Sequence, residues 1–142
     1  MIRVLIADDH ALLTDSLKIV LESFDGFEVV GVAHDGLKAC EMCKEIRPDV
    51  VLMDIKMPML DGIDSIARIK GFDPNIKVII LTSLEEIDYV LKAFMNGADA
   101  YLMKDTPPDR LKVLIQWVHW GYDVMSGEIK GLLESACKRG GA

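Results

Sequence analysis

Asp8, Asp9, Asp54, Thr82 and Lys104 carry groups that could act together, although they come from distant stretches of the chain. Asp54 ends the apolar run Val50-Val51-Leu52-Met53, and Asp8-Asp9 follow Val4-Leu5-Ile6-Ala7. Thr82 closes Val78-Ile79-Ile80-Leu81, and Lys104 closes Ala100-Tyr101-Leu102-Met103. Apolar runs of this length, without polar alternation, suit strands covered on both faces. Each polar residue is then the first chemistry-bearing group at a strand end. Taken singly, each has a bland reading: an Asp here is a turn residue or caps the next helix, Thr82 caps the following helix, and Lys104 is a solvated charge. Taken together, they fall on the ends of four strands.

The intervening stretches read as helices. Leu13, Leu17, Val20, Leu21 and Phe24 recur at helical spacing and predict a helix over about 11–24, stopped by Asp25-Gly26. Phe27 to Ala33 reads as a second strand. Asp35-Gly36 opens a helix through about Arg47, ended by Pro48-Asp49. Ile63, Ile66, Ala67 and Ile69 place a third helix at about 62–70, with Gly71, Pro74 and Asn75 as breakers. Ile87, Val90, Leu91 and Phe94 give a fourth, ended by Asn96-Gly97. Pro107-Pro108 starts a fifth, with Leu111, Leu114, Ile115 and Val118 as its stripe and Gly121 at its end. Strands alternating with helices predict an α/β fold: a flavodoxin-like doubly wound five-stranded parallel sheet, order 2-1-3-4-5, with five helices.

In such a sheet the carboxyl ends of the strands share one rim, where ligands bind. Strands 1 and 3 are neighbours, so Asp8, Asp9 and Asp54 meet, while strand 2 brings nothing ionisable of note at Ala33. Three close carboxylates repel, so one holds a proton or a cation sits among them. Oxygen ligands favour a hard ion such as Mg²⁺. Lys104 offers a second positive charge and Thr82 a hydroxyl donor, a set that fits a phosphoryl group with Asp54 as acceptor.

The totals narrow the class. The chain has 142 residues, 51% of them hydrophobic, enough for one domain with a short appendage. A net charge of −7 argues against this piece gripping a nucleic-acid backbone. No apolar run reaches the roughly 18 residues of a membrane helix, and Met1–Ala7 meets Asp8 too early for a signal peptide. Cys40, Cys43 and Cys137 suit free thiols and a cytoplasmic location. Cys40-x-x-Cys43 lies inside a helix rather than at its start, which points to core packing over a redox or zinc site. His10 follows the acidic pair and is placed at a solvent-facing helix start; of Trp117 and Trp120, one is expected to be exposed.

Ile6-Ala7-Asp8-Asp9-His10, Leu52-Met53-Asp54-Ile55-Lys56-Met57-Pro58 with Asp61-Gly62, Ile80-Leu81-Thr82-Ser83 and Gly97-Ala98-Asp99-Ala100-Tyr101-Leu102-Met103-Lys104-Asp105 occur in this order. Over about residues 2–121 the chain resembles the receiver domain of two-component response regulators, and its details are similar to the NarL/FixJ group. The resemblance implies that Asp54 accepts a phosphoryl group from a histidine kinase. It implies Mg²⁺ on Asp9, Asp54 and the backbone carbonyl of Lys56, with Asp8 helping through water. Lys104 would pair with the phosphoryl oxygens, Thr82 would swing onto them, and Tyr101 would turn inward behind it. Lys56 and Leu84 would tune the lifetime of the phosphoryl group. Asp105 stands where many receivers have proline, so a cis peptide is not expected there.

Members of that group usually carry a C-terminal helix-turn-helix domain. Residues 1–121 are therefore expected as the receiver, and 122–142 as a linker with a short helix at about 128–138 leading toward such a domain. The chain then reads as a piece of a transcription regulator that reaches DNA only through that missing domain, with a homodimer through the first or fifth helix as a further expectation. A stand-alone receiver acting through protein contacts is the alternative. A Mg²⁺-dependent aspartyl phosphatase is disfavoured because Lys56 stands where such enzymes commonly place a second Asp. The chain is expected to be a switch and not a turnover enzyme.

Overall fold

A computed structural model describes residues 1–83 and 87–122. Leu84, Cys137, the expected linker and the helix expected at 128–138 lie outside the described residues.

The strands are β1 (Ile2–Ala7), β2 (Phe27–Ala33), β3 (Val50–Asp54), β4 (Lys77–Thr82) and β5 (Ala100–Met103). The helices are α1 (Ala11–Glu22), α2 (Gly36–Ile46), α3 (Gly62–Phe72), α4 (Ile87–Met95) and α5 (Pro108–His119). All strand pairs are parallel, in the order β2-β1-β3-β4-β5. Alternate residues of a strand face opposite sides, so β3 feeds two cores. Val51 and Met53 pack with Cys40, Cys43, Ile66, Ile69, Val90 and Phe94 beneath α2, α3 and α4. Val50 and Leu52 pack with Leu21, Leu111, Ile115 and Val118 beneath α1 and α5. Such a side chain gains about 1.5–3 kcal/mol on burial, which holds β3 in the middle of the sheet.

Local departures from the sequence reading have physical causes. The helix expected through Phe24 stops at Glu22: the Ser23 hydroxyl takes the Val20 carbonyl, and the Phe24 amide donates to Leu21 instead, at 3.1 Å. Phe24 still packs, edge-on to Phe27 at 6.2 Å. Gly71 does not break α3, which runs on to Phe72. A helical glycine costs about 1 kcal/mol, and the half-buried Phe72 ring on the core offsets it. Both tryptophans are exposed, Trp117 at 49% and Trp120 at 60%, rather than one. The α5 stripe is completed by Leu111, Ile115 and Val118, which leaves both indoles on the outer face. Cys40 and Cys43 are buried, and burial pushes the Cys43 thiol up to about 12.

The amino-terminal rim is tied down by carboxylates. Asp49 Oδ2 accepts the Arg3 amide at 2.9 Å, and the Arg3 guanidinium caps the carbonyls of Ile46 and Arg47 at the end of α2. Asp99 Oδ2 accepts the Val78 amide at 2.8 Å and the Lys70 ammonium at 2.7 Å.

Candidate functional site

The opposite, carboxyl-terminal rim gathers the chemistry-bearing residues. Asp8 follows β1 directly, and its amide continues the sheet by donating to the Ala33 carbonyl at 3.0 Å. Its side chain is 0% exposed. Asp54 is the last residue of β3 and is 2% exposed. In register, Asp54 pairs with Leu81, so Thr82 stands one residue further along β4. Thr82 pairs with Met103, and the Lys104 amide donates to the Thr82 carbonyl at 2.9 Å. The Lys104 ammonium thereby reaches both strands: it lies 3.2 Å from Asp54 Oδ1 and 3.5 Å from Asp8 Oδ2. Ligand atoms of Asp8, Asp9, His10 and Asp54 all lie within 4.8 Å of one another.

The loop after Asp54 is held by two glycines. The Gly62 amide donates to the Ile55 carbonyl at 2.6 Å, and a Cβ on Gly62 would run into the Asp54 carbonyl. A Cβ on Gly36 would strike the Leu60 carbonyl. Only glycine lets α2 and α3 close on this loop from both sides. Asp61 caps α3 by accepting the Asp64 amide at 2.9 Å, so the helix starts next to the end of β3.

Two buried carboxylates share one ammonium, and burying a carboxylate is costly unless it is paired and hydrogen-bonded. Asp8 Oδ1 accepts the His10 amide at 2.8 Å. Asp8 Oδ2 is buried and receives no hydrogen bond, the Lys104 ammonium at 3.5 Å being outside hydrogen-bonding geometry. The His10 imidazole, when protonated, supplies a further cation: Nδ1 lies 2.9 Å from Asp8 Oδ1 and 3.2 Å from Asp9 Oδ1. That hydrogen bond and the charges of Asp8 and then Asp9 raise the His10 pKa above 6.5. A buried oxygen without a donor, among further carboxylate oxygens, is what a hard divalent cation would take up.

Thr82 is buried, and its hydroxyl donates to the Ser83 carbonyl at 3.1 Å. Tyr101 is half-buried, with its ring edge-on to Phe94 of α4 at 6.2 Å. Lys56 is exposed, and its ammonium sits 5.1 Å from the centre of the Tyr89 ring, which Lys92 also approaches at 5.6 Å. Among the described residues every peptide is trans, the Lys104–Asp105 joint included.

Two histidines add to the sequence reading. His10 is exposed at the start of α1, as placed, yet its ring nitrogen turns back onto the acidic pair. His34, the residue after β2, sets Nδ1 3.0 Å from the Asp8 carbonyl, so strand 2 does bring an ionisable group to the rim. Its signal was its place: one residue beyond a strand end, like Asp8 beyond Ala7.

The family model of the response regulator receiver domain matches residues 4–116. The chain belongs to this family. This receiver is 38% identical over 135 residues to the transcriptional regulatory protein MctR of Rhizobium johnstonii, covering 89% of the chain and 63% of MctR. It is 40% identical over 109 residues to the chemotaxis protein CheY of Thermotoga maritima, covering 77% of the chain and 90% of CheY. A LuxR-family two-component response regulator from Aurantimonas sp. superposes with a TM-score of 0.82 at 29% identity, covering 94% of this chain and 95% of that one. The receiver spans only 50% to 63% of the length of MctR and three matching transcriptional regulatory proteins of Bacillus subtilis. Among the described residues no helix is long and apolar enough to cross a membrane.

Proposed function

We propose that Asp54 is the phosphoacceptor of a signalling switch. The observation that carries this is the placing of one ammonium 3.2 Å from Asp54 and 3.5 Å from Asp8 on a single rim. An Asp54 carboxylate oxygen attacks the phosphorus of a phosphohistidine on a partner kinase. The P–N bond breaks, its electron pair stays on the imidazole, and an acyl phosphate forms on Asp54. Asp9, Asp54 and the Lys56 backbone carbonyl would hold Mg²⁺, with Asp8 helping through water, and the ion would supply positive charge for the transferring group. Lys104 leaves Asp8 to pair with the new phosphoryl oxygens.

Phosphorylation moves an equilibrium only through contacts that differ between the two states. Thr82 is the first such contact: its hydroxyl gives up the Ser83 carbonyl and donates to the phosphoryl group. Tyr101, held against Phe94, then turns inward and carries the change to α4, β5 and α5. Residues 1–121 act as the receiver, and 122–142 lead toward a helix-turn-helix domain through which a cytoplasmic transcription regulator meets DNA. The names of MctR and the Aurantimonas protein support this output; CheY, 90% of whose length the chain covers, supports the alternative of a stand-alone receiver.

Intact mass after treatment with acetyl phosphate and Mg²⁺ tests the reading. Wild type gains one phosphoryl group and Asp54→Ala gains none. No gain on wild type would overturn it, and steady turnover of a generic phosphomonoester would favour a phosphatase.

A further inference from the structure

His10 is a nitrogen donor facing a carboxylate set otherwise made of oxygen. Its amide and its Nδ1 both engage Asp8 Oδ1, at 2.8 and 2.9 Å, which fixes the ring over the rim. The same nitrogen stands 3.2 Å from Asp9 Oδ1. Ligands at right angles around a small divalent ion, each about 2.1 Å from it, lie about 3 Å apart, and opposite ligands about 4.2 Å apart. The 3.2 Å separation between Nδ1 and Asp9 Oδ1 fits an edge of that octahedron, and all four residues offer atoms within 4.8 Å of one another. The buried Asp8 Oδ2, which receives no hydrogen bond, is the independent sign that the cluster takes up a cation.

We infer that His10, its Nδ1 releasing its proton to solvent and its bond to Asp8 Oδ1, becomes a metal ligand of this site, and that it shifts the preference of the site from Mg²⁺ toward borderline ions such as Mn²⁺ and Co²⁺. This rests on the metal reading given above. Mg²⁺ prefers oxygen and dehydrates reluctantly, so an imidazole adds little for it. Imidazole nitrogen binds later first-row ions more strongly, so the same cage with His10 in place holds them better. His34 is no rival, because it is not among the residues whose ligand atoms gather within 4.8 Å of one another.

The test uses Mn²⁺ and Mg²⁺ with the 142-residue chain and its His10→Ala variant. Pulsed electron paramagnetic resonance of bound Mn²⁺ is expected to show ¹⁴N coupling in wild type that His10→Ala lacks. Competition titrations are expected to show Mn²⁺ affinity falling about tenfold or more in the variant, with Mg²⁺ affinity changed less than about twofold. Mn²⁺ bound without ¹⁴N coupling, or an equal loss for both ions, would overturn the inference while leaving an oxygen-ligated site intact. No Mn²⁺ or Mg²⁺ binding to either protein would overturn the metal reading and this inference with it. Coupling that persists in His10→Ala would assign the nitrogen to another histidine and also overturn it.

Discussion

The two rims of the sheet use the same residue types for opposite ends. At the amino-terminal rim, Asp49 and Asp99 accept backbone amides of neighbouring strands at 2.9 and 2.8 Å, and Lys70 sits on Asp99 at 2.7 Å. Those carboxylates hold strand starts in place. At the carboxyl-terminal rim, Asp8 and Asp54 are more deeply buried; Asp8 spends Oδ1 on the His10 amide at 2.8 Å, while Asp8 Oδ2 and Asp54 Oδ1 face one ammonium at 3.5 and 3.2 Å. Short, charge-assisted bonds from fixed amides stabilise a fold. Asp8 Oδ2, which receives no hydrogen bond and has the ammonium at 3.5 Å, stays able to meet something else. The difference separates carboxylates that build the sheet from those proposed above to meet a ligand.

The comparison is sharpened most by Lys104→Ala. Loss of the cation that serves the transferring group is expected to slow phosphorylation by acetyl phosphate about 100-fold, by analogy with loss of one preorganised donor. Time-resolved intact mass checks this, and an unchanged rate would put Lys104 among the structural cations with Lys70. Next in size is Asp99→Asn, which weakens two charge-assisted bonds. Urea unfolding is expected to show a loss of about 1.5 kcal/mol, with phosphorylation retained. The smallest effect is Asp8→Asn at the other rim. Removing one of two buried like charges is expected to leave stability unchanged or raise it by up to about 1 kcal/mol, and to weaken the Mg²⁺-induced rise in melting temperature. If Asp8→Asn destabilised as much as Asp99→Asn, the two rims would not differ in kind.

Much of this was legible before any coordinates. Unbroken apolar runs at Val50–Met53 and Val78–Leu81 show strands buried on both faces, and parallel crossovers bring their ends to one rim. That is why Asp8, Asp9, Asp54, Thr82 and Lys104 could be assembled from a linear string. Helix ends were less legible. Whether Gly71 breaks α3 depends on where Phe72 finds a core, which is a tertiary matter. The exposure of both Trp117 and Trp120 depends on how many stripe positions α5 spends on the sheet. Asp49 and Asp99 resemble ordinary loop residues in sequence, since their partners, Arg3 and Val78, are set by strand register. The turn of the His10 ring onto Asp8 is likewise a side-chain matter that spacing does not encode.

The most direct test traps the acyl phosphate chemically. The chain is treated with acetyl phosphate, with Mg²⁺ or with chelator, and then reduced with borohydride, which converts a phosphorylated aspartate to homoserine. Peptide mapping is expected to find that conversion at Asp54 alone, and only when Mg²⁺ is present. Conversion at Asp8 or Asp9, or equal conversion at Asp54 with chelator, would contradict the assignment of these carboxylates to acceptor and metal cage.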